Sequence, residues 1–117
     1  MATIERIESG TRMSKAVVHG DTVYLAGQVA GEAAGRTVRE QTTDILAIID
    51  GLLAKAGTDK TKLLSANIWL TDIATFAEMN TVWDAWLAPG CAPARATVEA
   101  KLAAPQFTVE IAVIAAR

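Results

Sequence analysis

The chain has 117 residues, 51% of them apolar and 21% charged, and a net charge of −2 from 11 basic and 13 acidic side chains. That length fits one domain, spanning 1–117, and the apolar content excludes disorder. The scattered Lys and Arg residues offer no basic track for nucleic acid. One cysteine (Cys91) and one histidine (His19) exclude an internal disulfide and a zinc site of the usual ligand count. The opening MATIERIESG lacks the basic-then-apolar pattern of a signal peptide, and no apolar run approaches the ~18–20 residues that span a bilayer, so the expected location is the cytoplasm.

Residues 2–8 alternate loosely around Ile4 and Ile7 and suit an edge strand. The β-branched segments 16–18 and 22–26 flank His19-Gly20-Asp21, a turn signal that predicts a hairpin. From Thr37 the period changes. Thr37 and Glu40 have capping-box spacing, and Ile45, Ile49, Leu52 and Ala56 recur at three- and four-residue steps up to Gly57. This predicts a helix over 37–56. Leu63 to Leu70 returns to strand character. Thr75 and Glu78 repeat the capping-box spacing, and Phe76, Met79, Trp83 and Trp86 mark one face of a second helix that Pro89-Gly90 stops. At helical spacing with Phe76 and Met79, Trp83 and Trp86 read as core in preference to pocket walls. Arg95 to Lys101 and Phe107 to Ala115 then read as the two strands of a C-terminal hairpin, with Pro105-Gln106 in the connection.

The order β-β-β-α-β-α-β-β predicts an α+β fold, a six-stranded sheet with two helices on one face. In the last strand Phe107, Val109, Ile111 and Val113 fall on one face, with Ala112 and Ile114 on the other. Two helices cover one face only, so the second apolar face calls for another subunit.

Nucleophile elbows, phosphate loops and zinc-protease helices are all missing from the sequence. His19 beside a turn glycine reads as a solvated residue, and Cys91 has no second histidine to lower its pKa. What remains is the C-terminal pair Arg95 and Glu110. Glu110 interrupts an apolar strand, where a carboxylate is costly unless it is paired. Two readings stay open: a structural ion pair of Glu110 with Arg95 or Lys101, or a site in which a guanidinium grips a carboxylate while the glutamate handles a proton. Strand register decides between them.

Several segments, in order, resemble the YjgF/RidA family: AVVHGDTVYLAGQ at 16–28, LLAKAG at 52–57, WLTDIATFAEMN at 69–80, and PARATVEA followed by VEIAVIA at the C-terminus. The resemblance covers nearly the whole chain. It implies a chorismate-mutase-like fold, a homotrimer with a central barrel, and ligand clefts between neighbours. It also implies hydrolysis of small 2-imino acids to 2-keto acids and ammonia, with neither metal nor organic cofactor. Residue by residue, Arg95 matches the arginine that binds the substrate carboxylate. Glu110 matches the glutamate that orients water, Gly27 the glycine whose backbone lines the pocket, and Asn80 a polar pocket residue. Three positions depart from the family pattern. Met13 replaces a tyrosine, Thr97 a cysteine and Ala26 a serine, so Met13 and Thr97 become candidate substrate contacts of different chemistry. The rival reading from another class is a non-catalytic trimer that binds a small carboxylate metabolite and reports it to a partner.

Overall fold

The computed structural model describes residues 3–117. Six strands form one sheet: β1 (Ile4–Ser9), β2 (Ser14–His19), β3 (Thr22–Leu25), β4 (Leu63–Leu70), β5 (Ala94–Glu99) and β6 (Val109–Ala116). Two helices, α1 (Val38–Lys55) and α2 (Phe76–Trp86), complete the fold in the expected order. The expected edge strand over 2–8 is β1, whose described part starts at Ile4; residues 1 and 2 lie outside the described residues. Among the described residues no helix is long and apolar enough to cross a membrane.

The sheet order is β1-β2-β3-β6-β4-β5. The β2–β3 hairpin turns on Gly20-Asp21, with His19 opposite Thr22 and Gly20 at φ 60°. A positive φ at that position suits glycine, which has no Cβ to clash. The C-terminal hairpin does not form. β5 pairs in parallel with β4, Ala66 opposite Arg95, while β6 lies antiparallel on the other side of β4. The physical reason is α2: a helix between two strands returns the chain for parallel pairing. The connection over 100–108 is long enough to pass β4 and enter the sheet beyond it, whereas hairpin loops run to only ~2–5 residues.

Helix α1 starts as its spacing predicts. Thr37 Oγ1 accepts from Glu40 N at 3.1 Å, and Gly57 follows the helix at φ 81°. Its buried stripe includes Ile45, Leu46, Ile49, Leu52 and Leu53. These pack on the sheet face formed by Ala16, Val18, Val23, Leu25, Ala66, Ile68, Leu70, Val109, Ile111, Val113 and Ala115. Strand alternation does the sorting: along β6 every odd residue from 109 to 115 is buried and the even ones face away.

The second capping box is not one. Thr75 makes no side-chain cap to α2 and instead donates to the Asp72 carbonyl at 2.6 Å. The Glu78 carboxylate accepts from Arg39 N at 2.9 Å, so it caps the neighbouring α1. The free amides of a helix start donate to any well-placed carboxylate, from whichever element supplies it. The fully buried Gln41 was not anticipated either. Its amide donates to the carbonyls of Arg36 and Gln106 (2.9 and 3.0 Å) and accepts from Thr108 N (3.0 Å). That fixes the segment leading into β6 against α1.

The face away from the helices carries exposed Tyr24 and Val98, with half-buried Val17, Trp69, Ala112 and Ile114 between them. It is apolar, as the alternation predicts.

Candidate functional site

The sheet places the expected site residues in two groups, one on each face. Arg95 and Thr97 are two residues apart on edge strand β5, on the side of the helices. Arg95 Nη1 donates to Asn80 Oδ1 on α2 at 2.8 Å. The guanidinium carbon lies 5.6 Å from the Phe76 ring centroid and 5.5 Å from that of Trp83. Phe76, Asn80 and Trp83 stand at i, i+4 and i+7 on α2, so they share the helix face turned toward Arg95. Thr97 Oγ1 is buried without a hydrogen-bond partner. A buried hydroxyl left unpaired costs ~1–3 kcal/mol, which a ligand oxygen or nitrogen would recover.

Glu110 belongs to the opposite face. It lies across from Trp69 in the β4–β6 register and points away from the core. Its carboxylate rests against Gly27, just beyond β3. A Cβ built on Gly27 would fall 2.1 Å from Glu110 Oε2. Only glycine leaves that space open. Gly27 is held in turn by the Gln28–Ile111 bridge, with N–H···O distances of 2.8 and 3.0 Å in the two directions. Met13, half exposed, sits in the β1–β2 turn at the same end of the sheet, where the Ala26 N–H donates to the Lys15 carbonyl. A cleft of about 270 Å³ adjoins Glu110, lined by Trp69, Ala100, Lys101, Leu102 and Ala103.

Arg95 and Glu110 are therefore not partners within one chain. Two strand spacings and three residues along the strand put their Cα atoms about 14 Å apart, with the sheet between the side chains. The structural ion pair with Arg95 fails for the same reason, and Lys101, although it lines the cleft beside Glu110, forms no ion pair with it among the described residues. His19 is exposed at a strand end. No three His, Cys, Asp or Glu side chains cluster as a metal centre among the described residues.

Phe76 corrects the expectation of an aromatic core stripe. Met79 and Trp83 are buried, but Phe76 is 41% exposed and spends its ring on Arg95. The i, i+4, i+7 spacing with Asn80 was visible in the sequence. Nothing there separated a face that packs on the core from one that holds an arginine.

A family model described as Endoribonuclease L-PSP matches residues 3–117. In three dimensions, NMB1025 of Neisseria meningitidis, a member of the YjgF protein family, superposes with a TM-score of 0.95 at 45% identity, covering 98% of this chain and 95% of that one. The chain belongs to the YjgF/RidA family. Its relatives within the family include the RutC family protein YoaB of Escherichia coli K12, 44% identical over 114 residues (97% of this chain, 98% of YoaB). A RutC family protein of Haemophilus influenzae is 44% identical over 113 residues, 97% of each chain. More distant in sequence, Rv2704 of Mycobacterium tuberculosis, a member of the YjgF/YER057c/UK114 family, keeps the fold at 27% identity with a TM-score of 0.88 over 98% of this chain and all of that one (100%).

Proposed function

We propose that this protein is a cytoplasmic hydrolytic deaminase of small 2-imino acids, working as a homotrimer whose sites lie between subunits. The observation that carries the substrate class is Arg95, a guanidinium that pairs with no carboxylate of the described residues and keeps donors free beside an unpaired Thr97 hydroxyl. Such a group takes a planar carboxylate in two parallel hydrogen bonds. The catalytic group is Glu110, which in this reading faces the same ligand from a second copy. The apolar open face around Tyr24, Ile114 and Val98 supports a subunit contact there.

The chemistry asks little of the protein. Water held by Glu110 adds to the C=N carbon of the iminium acid while the carboxylate passes a proton along. The C–N bond then breaks, ammonia leaves as ammonium, and a 2-keto acid remains. No electrons are exchanged, and the iminium is already electrophilic, so fixing acid and water together supplies much of the rate. Asn80, Met13 and Gly27 complete the pocket in this reading. Asn80 acts through Arg95, Gly27 gives the Glu110 carboxylate its room, and Met13 borders the end where the substrate side chain would lie. Phosphate-chain cleavage is less favoured, because the net charge of −2 leaves no basic track.

One observation favours the rival reading of a metabolite-binding trimer. The Arg95–Asn80–Thr97 cluster lies within one chain, whereas Glu110 does not reach it. Binding alone needs only the first group. The deciding experiment generates imines from several amino acids with an amino-acid oxidase and traps the survivors with semicarbazide. Loss of trapped product on adding the protein, and its return with Arg95→Ala, is the expected result. An unchanged yield across the panel, with 2-keto acids still protecting the protein against heat, would hand the site to the binding reading.

A further inference from the structure

We propose that Phe76 and Trp83 are positioning residues that hold the Arg95 guanidinium without neutralising it, so that its free edge grips a ligand carboxylate in one orientation. An arginine on an edge strand must be fixed before it can orient a ligand. A carboxylate fixes it by filling the guanidinium's fork and cancelling its charge, and both are what an anion receptor must keep. An aromatic face attracts the cation through its quadrupole and takes no N–H donor.

The geometry on α2 follows that logic. Both ring centroids lie within 5.6 Å of the guanidinium carbon, and the one hydrogen bond goes to Asn80, a neutral acceptor. Phe76 and Trp83 are seven residues apart with Asn80 between them, so all three reach the guanidinium from one face of the helix. The clamp comes from a single helix, with no loop whose motion could loosen it. Trp83 is itself fixed, 3% exposed and with its ring centroid 5.4 Å from that of Trp86. Trp86 Nε1 in turn donates to Asp50 on α1 at 3.0 Å. Arg95 is thus tied through two aromatic rings to the helix layer. Asn80 then does not need to touch substrate. Its oxygen is committed to Arg95, and its effect on binding runs through that bond.

The inference rests on the deaminase reading only for its kinetic arm, so its test carries two readouts that need no turnover. Phe76 is the residue to change, because at 41% exposure its ring can be removed without opening the core. In nitrogen-15 spectra the Nε–H resonance of Arg95, assigned by its loss in Arg95→Lys, should carry the ring-current shift of its neighbours. Phe76→Leu should move that resonance toward the position of a free arginine. The same change should raise the dissociation constant of 2-oxobutanoate, and the KM of any imine turned over, by about tenfold. The kcat should stay within about twofold, since the clamp acts on binding. Phe76→Tyr, which keeps a ring at that place, should restore both readouts.

An unmoved Arg95 resonance with unchanged affinity in Phe76→Leu would overturn the proposal. So would a Phe76→Tyr protein as weak as Phe76→Leu. If the wild-type protein binds 2-oxobutanoate but consumes no imine, the deaminase reading fails and the clamp is judged on resonance and affinity. If it binds no 2-oxo acid at all, the grip on a carboxylate fails, and the proposal fails with it whatever the resonance does.

Discussion

The two faces of the sheet solve opposite problems with the same alternating strands. On the helix side, Arg95 is surrounded by its own chain: two aromatic rings and an amide from α2, with the Thr97 hydroxyl two residues along the strand. On the open side, Glu110 has a glycine backbone at its back and a shallow cleft in front. One face finishes its receptor within the chain; the other leaves a carboxylate on a half-exposed apolar surface. That carboxylate makes no ion pair among the described residues, which leaves it free for a group outside the chain. Under the proposed function, the first face would bind the ligand and the second would handle the proton.

The largest effect should come from separating those two duties. Glu110→Gln should lower imine turnover by roughly 10³-fold, the usual scale for a general acid–base group. Affinity for 2-oxobutanoate should hardly change, because Arg95 is untouched on the other side of the sheet. Arg95→Ala should do the reverse to affinity and also stop turnover at ordinary substrate levels. Mixing the two inactive proteins after dissociation is the sharper form. If each site joins Arg95 of one chain to Glu110 of the next, random reassembly into cyclic trimers rebuilds about a quarter of the sites with both groups intact. Recovery of activity near that fraction would support a shared site. No recovery from chains shown to have exchanged would mean that the two groups never serve one substrate.

The next effect is smaller and tests the open face by itself. Gly27→Ala places a methyl group where the Glu110 carboxylate now lies, 2.1 Å from Oε2. The obstructed atom is the end of a flexible side chain, so the fold should tolerate the change and the melting temperature should barely move. The carboxylate must swing aside, and a displacement near 1 Å at the reacting groups costs about 10²-fold in rate. A Gly27→Ala protein that is stable and fully active would remove Glu110 from the chemistry.

The same contrast shows what the sequence could reveal. Strand periods and the Thr37–Glu40 box give β4 and α1 nearly to the residue, because those signals are local. The apolar open face also follows from alternation along β6. Strand order does not: β5 and β6 are consecutive in the chain, and only the path through α2 tells that β4 lies between them. That error would have put Arg95 and Glu110 on adjacent strands, where register alone separates them. The candidate site was legible as a set of residues through family resemblance, and illegible as geometry. The duty of Phe76 stayed hidden because a core stripe and a guanidinium clamp share one helical spacing. Glu78 misled for a related reason, since a carboxylate at capping distance in sequence is free to cap a different helix in space.

The smallest effect distinguishes the faces by pH. Two of the three ion pairs of the described residues involve α1, Arg36–Glu40 at its start and Lys55–Glu8 between its end and β1; the third joins Arg117 to Glu5. The hydrogen bond from Arg36, and after it that from Thr37, holds the Glu40 carboxyl below its ordinary value of 4.5; the bond from Lys55 does the same for Glu8. A carboxyl whose pKa is depressed by folding adds stability above its unfolded pKa and loses it as pH falls through the folded one. Both groups are solvent-exposed and screened, so the effect is modest. Glu40→Gln should therefore melt slightly earlier than wild type at pH 7, and the gap should close as the pH drops below 4.5. Among the described residues the apolar face carries no such pair, so the proposed subunit association should persist through the same acid range. Loss of the trimer in step with the Glu40 titration would mean that carboxylates, and not Tyr24, Ile114 and Val98, hold the subunits together.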